Sequence, residues 1–164
     1  MLKTFIGITC VFALFGMKLQ SEIDPNWRQI VPGRTTRAEV EELLGPSRES
    51  YSASYNVKEG NIFIAYSTGL CGPEKNGGWN VPKNTVVAVT FNPKEKRSIA
   101  ELRLEKKRLR KVVDKHVLGI TYYVNDRNSI TYEVQKGKVE AITYEPPMKL
   151  YCGDSDLLRR RNGT

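Results

Sequence analysis

The sequence predicts an α+β fold in which two tandem helix–three-strand units form one antiparallel sheet, with short helices packed on one face. A strand-like stretch occurs twice, as VVAVTFNP at 86–93 and as VEAITYEP at 139–146. Two helix-start patterns, TRAE at 36–39 and SIAE at 98–101, precede these copies in the same order. Ordered matches of this kind favour internal duplication. Convergent β patterning is the alternative.

The first predicted helix has signals at both ends. Thr36 and Glu39 form a capping box, in which a hydroxyl and a carboxylate three residues apart satisfy two backbone donors. Apolar residues at spacings of three and four then give the helix one buried face. Gly45 followed by proline stops it. The equivalent pattern at 98–101 predicts a second short helix.

Alternating apolar residues predict the remaining strands. Residues 51–57 and 61–67 alternate on either side of a Lys-Glu-Gly turn, and 129–134 alternates in the second unit. Residues 119–124 are predicted to be a strand because they are aromatic and β-branched. The first unit then carries a long connection at 68–84, which contains several glycines and prolines. The second unit has only a short turn at that place.

The chain is predicted to hold one α+β domain at 27–152, with repeat 1 at about 32–93 and repeat 2 at about 96–146. Its 164 residues, 40% hydrophobic and 27% charged, are typical of a globular domain. Residues 1–20 read as a signal peptide or N-terminal anchor, because the apolar run after Lys is shorter than the ~20 residues of a spanning helix. Residues 153–164 are predicted to be a basic C-terminal tail.

Two cysteines lie outside the N-terminal segment, and each is followed by glycine: Cys71 and Cys152. In an exported protein such a pair predicts a disulfide, and two free thiols are the alternative. The predicted location is extracytoplasmic, either periplasmic or secreted, with anchoring through an uncleaved N-terminus as a further alternative.

The stretch 32–46 contains a glycine, a threonine pair, a capped helix with valine, and a final Leu-Gly-Pro. These residues are Gly33, Thr35, Thr36, Val40, Leu44, Gly45 and Pro46. The stretch resembles the opening motif of small bacterial envelope proteins of the SmpA/OmlA type. The tandem arrangement resembles the wider β-lactamase-inhibitor-protein-like (BLIP-like) group. The resemblance implies an exported, non-enzymatic, protein-binding module.

No sequence pattern indicates catalysis, a metal or a cofactor. The single histidine, His116, has no zinc-like spacing to cysteines, and neither a nucleophile elbow nor a phosphate-binding loop is present. The predicted function is an exported, non-catalytic protein-binding or scaffold module of the bacterial cell envelope, with an unknown protein partner and no nucleic acid. The alternatives are a surface protein that binds polyanions or lipid head groups, and an envelope hydrolase.

Two segments are candidates for partner contact. The loop 68–84 exceeds the usual connection length, and Trp79 on it is a residue type enriched at binding hot spots. The alternative is that Trp79 packs back on the sheet edge or core. The basic segment 94–116 suits an anionic partner, with a solvated helix and linker surface as the alternative. The candidate residues are Gly77, Gly78, Trp79, Asn80, Lys106, Lys107, Arg108, Arg110 and Lys111.

Overall fold

The structure of the chain is a computed structural model that describes residues 25–71, 78–104, 108–114 and 117–152. The predicted N-terminal segment and C-terminal tail lie outside these ranges, as do the candidate residues Gly77, Lys106 and Lys107. In chain order the described elements are a 3-10 turn (Pro25–Gln29), α1 (Arg37–Leu44), β1 (Ser52–Val57), β2 (Gly60–Tyr66), β3 (Val86–Pro93), β4 (Arg110–Val113), β5 (Ile120–Asn125), β6 (Ile130–Gln135), β7 (Lys138–Tyr144) and a second 3-10 turn (Met148–Leu150).

The strands form one antiparallel sheet in the order β1-β2-β3-β7-β6-β5-β4. Strands β1, β2 and β3 form one meander, and β5, β6 and β7 form another. Strand β4 pairs with β5 and extends the second meander at its outer edge. The two meanders join through their last strands, because β3 pairs with β7 at the centre of the sheet.

The central pairing of β3 with β7 is symmetric. Thr90 lies opposite Thr143, and their hydroxyl oxygens are 3.1 Å apart. The neighbouring pairs are Val89 with Tyr144 and Phe91 with Ile142. Val89 corresponds to Ile142 in the repeated stretch, and Phe91 to Tyr144, so equivalent residues lie diagonally across the junction. This register is the one that a local two-fold axis through the two threonines produces.

The predicted α+β class, with helices packed on one face, is wrong, because the described chain forms a mainly-β fold with α1 as its only α-helix. The second capping box does form at 98–101, where the Ser98 backbone N–H donates to Glu101 Oε2 at 2.6 Å. The chain nevertheless makes only a turn there. Arg103 adopts a positive φ of 53°, and a left-handed residue ends a right-handed helix.

Strand β4 is a second difference from the predicted fold, since it lies in the basic segment 94–116, for which the sequence predicts no strand. Val112 is its one buried residue, while Lys111 and Val113 are exposed. A single buried position gives no alternating pattern that sequence analysis could detect. Pairing with β5 therefore determines this strand more than its own sequence does.

Two apolar clusters lie against the sheet and leave a gap between them. The larger one packs α1, through Val40 and Leu44, together with Trp27 onto β1, β2 and β3. The smaller one packs Ile99 onto β6 and β7. Ile142 contacts both clusters. Because a short turn takes the place of the predicted second helix, the cover over the central strands is incomplete.

The capping box of α1 makes the stability of the fold depend on pH. The Thr36 backbone N–H donates to Glu39 Oε2 at 2.6 Å, and the Glu39 N–H donates to Thr36 Oγ1 at 3.4 Å. These bonds from Thr36, the backbone one first, lower the pKa of the Glu39 carboxyl. A lowered folded-state pKa gives stability that is present above the unfolded-state pKa and is lost as pH falls through the folded-state value.

We expect Glu39→Gln to be less stable than the wild type at pH 7, and this difference to shrink as the pH falls below about 4. The reason is that protonation removes the same charged hydrogen bonds from the wild type. Urea unfolding at a series of pH values measures the difference. Glu42→Gln, on the same helix but outside the box, is the matched control. A difference independent of pH would contradict this role for the carboxylate.

Candidate binding groove

A groove of about 850 Å³ crosses the covered face of the sheet above the junction of β3 and β7. We call it the central groove. Its floor includes Val89 and Phe91 of β3 and Ile142 of β7. Trp27 lines it on the side of the first meander, and Leu102 on the side of the second. A concave apolar site of this volume is typical of small-molecule binding sites.

Aromatic packing fixes the wall of the central groove. The Trp27 indole stacks on Phe91 with ring centroids 5.0 Å apart and meets the edge of Tyr144 at 6.3 Å. The Arg28 guanidinium lies 5.6 Å from the centre of the Trp27 ring, within range of a cation–π interaction. The wall is therefore built on the two central strands, and its position depends on the pairing of β3 with β7.

Charged groups concentrate at one end of the central groove. Lys58 and Glu59 form the β1–β2 turn, and Lys94 follows β3. The Lys94 N–H donates to the Glu59 carbonyl oxygen at 2.8 Å, which holds the two segments together. Arg97 also lines this end and pairs with Glu95 at 3.3 Å. We call this charged end the mouth of the groove.

The cations around the central groove are only partly neutralised. Lys58, Lys94 and Arg28 form no ion pair with any described residue. All three side chains are exposed. The mouth and the adjacent wall therefore present an excess of positive charge to a ligand.

Two buried polar atoms of the central groove have no hydrogen-bond partner among the described residues, namely Trp27 Nε1 and Glu59 Oε2. The Trp27 residue is only 4% exposed. A buried polar atom without a partner costs about 1–3 kcal/mol, and buried tryptophan N–H groups usually have an acceptor. Both residues line the groove, so a small rotation of either side chain would present an indole donor or a carboxylate acceptor to a ligand.

Tyr144 supplies a further donor. Burial raises the pKa of its phenol, and the positive charge of Arg28 opposes that rise. The phenol therefore keeps its proton at neutral pH and can donate a hydrogen bond. Its neighbour in the wall, Trp27, can do the same through its N–H group.

The predicted disulfide between Cys71 and Cys152 is confirmed, with their Cα atoms 5.9 Å apart. It indicates an oxidising, extracytoplasmic location. Backbone hydrogen bonds reinforce the link, since Asn80 N–H donates to the Leu150 carbonyl and Cys152 N–H donates to the Gly78 carbonyl. The loop 68–84 is thereby fastened to the segment that follows β7. Within the described ranges, no helix has the length and apolar character to cross a membrane.

Trp79 packs against this C-terminal segment. Its indole meets Tyr151 edge-on, with ring centroids 5.3 Å apart, and the two residues form an isolated β-bridge. The side chain is half-buried, whereas the flanking Gly78 and Asn80 are exposed. Trp79 therefore has a structural contact and also leaves part of its surface open to solvent.

We expect Trp79→Ala to lower the free energy of unfolding by about 1–2 kcal/mol, because the substitution removes a half-buried aromatic side chain and its packing on Tyr151. A thermal unfolding scan under oxidising conditions would show this as a melting temperature several degrees lower. Leu70→Ala, which removes an exposed apolar side chain of the same loop, is the matched control. An unchanged melting temperature for Trp79→Ala would assign the indole to the surface alone.

The basic candidates lie elsewhere. Arg110 begins β4 and forms a bidentate pair with Asp126, with N···O distances of 3.1 and 3.0 Å. Lys111 is exposed on the same strand, and Arg108 lies just before it. Strand β4 is an edge strand of the sheet, whereas Trp79 lies in the β2–β3 connection. The described members of the two predicted sets of contact residues therefore lie on different elements of the fold.

Sequence reasoning missed most of the central groove. Of its charged residues only Lys94, Glu95 and Arg97 lie in a segment that the sequence marks as a candidate, the basic stretch 94–116. Trp27 carried no periodic or motif signal, because it stands alone before the first helix. Glu59 was part of a turn pattern that predicts a reversal of the chain and nothing more.

No family model, curated protein or solved structure matches this chain. The described residues contain no group of three His, Cys, Asp or Glu side chains placed to hold a metal ion. The geometry of the central groove is therefore the main basis for a functional proposal.

Proposed function

We propose that this chain is an exported, non-catalytic binding module of the bacterial cell envelope, and that its binding site is the central groove. The observation that carries the proposal is a large apolar groove whose wall contains a buried Trp27 N–H with no acceptor among the described residues. Enclosed apolar surface beside a few convergent polar groups is the usual composition of a binding site. We also propose that the protein is periplasmic or secreted.

The resemblance of the stretch 32–46 to SmpA/OmlA-type proteins also supports binding over catalysis. The excess of cations at the mouth supports one of the alternatives drawn from the sequence, a ligand with an anionic group. By contrast, Arg110 in the basic segment is already paired with Asp126. Charge recognition is therefore better supported at the central groove than along β4.

Site-specific photo-crosslinking in the exporting cell tests the proposal. A benzophenone amino acid at Leu102 would place the crosslinker in the groove wall, and the same group at Lys83, which is exposed and outside the groove, is the control. We expect an adduct at 102 and none at 83. Adducts of equal yield at both positions, or none at 102, would contradict binding in the groove. Turnover of a substrate that is lost with one groove side chain would contradict the non-catalytic assignment.

A further inference from the structure

We infer that the central groove binds a single-chain lipid whose head group carries an anion beside a hydrogen-bond donor. This inference rests on the proposed function, since it names the ligand class of the same site. The occupant follows from three features of the groove, which are its apolar floor, its cationic mouth and its two unpartnered buried atoms.

The floor suits a linear apolar chain. It follows β7 from Val139 to Tyr144, which at ~3.3 Å per residue gives a length of about 17 Å. The lining side chains of β7 are aliphatic or aromatic, and Val89 and Phe91 of the neighbouring strand β3 complete the floor. An apolar floor of this length removes an extended alkyl chain from water.

The mouth suits an anion. Lys58 and Lys94 have no ion pair with a described residue, and Arg28 adds a third cation beside the wall. Lys94 lies beyond the end of β3, so an anionic head placed there continues the line of the floor. Charge-assisted hydrogen bonds from lysine to a phosphate or carboxylate are among the strongest available to such a site.

The two unpartnered atoms define the rest of the head group. Trp27 Nε1 can only donate, and Glu59 Oε2, when ionised, can only accept. A head group that satisfies both must therefore contain an acceptor and a donor. A simple fatty acid provides the acceptor alone. A phosphoethanolamine head provides both, with its phosphate facing the lysines and its ammonium facing Glu59.

Trp27 fluorescence tests the inference, since the chain has two tryptophans and a Trp79→Phe background leaves Trp27 as the sole reporter. Three lysolipids of equal chain length, each below its micelle concentration, serve as probes. Lysophosphatidylethanolamine carries a phosphate and an ammonium with N–H donors, lysophosphatidylcholine a phosphate and an ammonium without N–H, and a monoacylglycerol hydroxyl groups without an anion. We expect the first to bind about tenfold more tightly than the other two.

Matched variants assign the contacts. We expect Lys94→Glu to weaken the binding of lysophosphatidylethanolamine by about tenfold, and Lys83→Glu, outside the groove, to leave it unchanged. Glu59→Gln should abolish the preference for the ethanolamine over the choline head, because a neutral amide no longer accepts a charge-assisted hydrogen bond from the N–H groups that only ethanolamine has. Circular dichroism of each variant confirms that it is folded.

Equal affinity for all three probes, or none for any of them, would overturn the inference. Tighter binding of an acidic, apolar peptide would also overturn it and assign the groove to a protein partner. These outcomes are separate from failure of the proposed function. A groove-specific crosslink at Leu102 without lysolipid binding leaves the binding module in place and removes only the ligand class.

Discussion

Replacing both Cys71 and Cys152 with serine is expected to lower the free energy of unfolding by about 4 kcal/mol. The bridge joins residues 81 apart in sequence, and a closed loop of that size strongly restricts the unfolded chain. The loop encloses every strand from β3 to β7, so the restriction acts on most of the sheet. Urea unfolding followed by circular dichroism measures the loss.

Reduction of the wild type supplies the control for the cysteine prediction. A Cys10→Ser background removes the third cysteine, so that dithiothreitol acts on one bridge only. The reduced wild type and the double serine variant should then have similar stability. A loss below about 1 kcal/mol would show that the unfolded chain is already restricted near these positions.

Trp27→Ala is expected to lower the free energy of unfolding by about 3–5 kcal/mol, the range for removal of a buried tryptophan. The side chain is 4% exposed and packs on Phe91 and Tyr144 across the junction of the two meanders. The loss should therefore destabilise both halves of the sheet together. A single cooperative urea transition at a lower midpoint would show this.

Trp27→Phe separates the contribution of aromatic packing to stability from the cost of the unsatisfied indole N–H. Phenylalanine keeps an aromatic ring on Phe91 and removes the N–H that has no acceptor among the described residues. We expect a loss of only about 1–2 kcal/mol, because the smaller ring leaves a small cavity while the unsatisfied donor disappears. A Phe variant as unstable as the Ala variant would contradict the assignment of Nε1 as unsatisfied.

Local patterns explain what the sequence could predict. Thr36 with Glu39 signals a helix start through contacts three residues apart, and the alternating residues of β1, β2 and β6 reflect one buried face. The disulfide was predictable because only two cysteines lie beyond the N-terminal segment. In each case the determining contact is local, or the number of possible partners is small.

The sequence predicted a second helix that does not form and did not predict β4, because tertiary contacts determine both segments. Ser98 and Glu101 make the predicted hydrogen bonds, but Arg103 reverses the backbone after one turn. A capping box signals where a helix can start and contains no information about its length. In β4 only Val112 is buried, so the strand lacks the alternation of apolar and polar residues that would predict its pairing with β5.

The central groove could not be predicted because its parts come from distant places in the chain. Trp27, Glu59, Lys94 and Ile142 follow no common spacing, and they meet only through the pairing of β3 with β7. The groove is also open because the segment after Ser98 forms a turn where the sequence predicts a helix. A prediction that places a second helix over these strands therefore cannot predict the groove.

The symmetric pairing at Thr90 and Thr143 implies that each half of the chain carries a nearly self-complementary edge. A fragment that ended after β3 would expose the edge that normally pairs with β7, and the closest available substitute for β7 is β3 of another molecule. We expect such fragments to associate as homodimers about a true two-fold axis at Thr90. If the two units arose by duplication, the chain corresponds to a homodimer whose two subunits have been joined into one polypeptide, and the second unit has a turn in place of the helix and an added strand, β4.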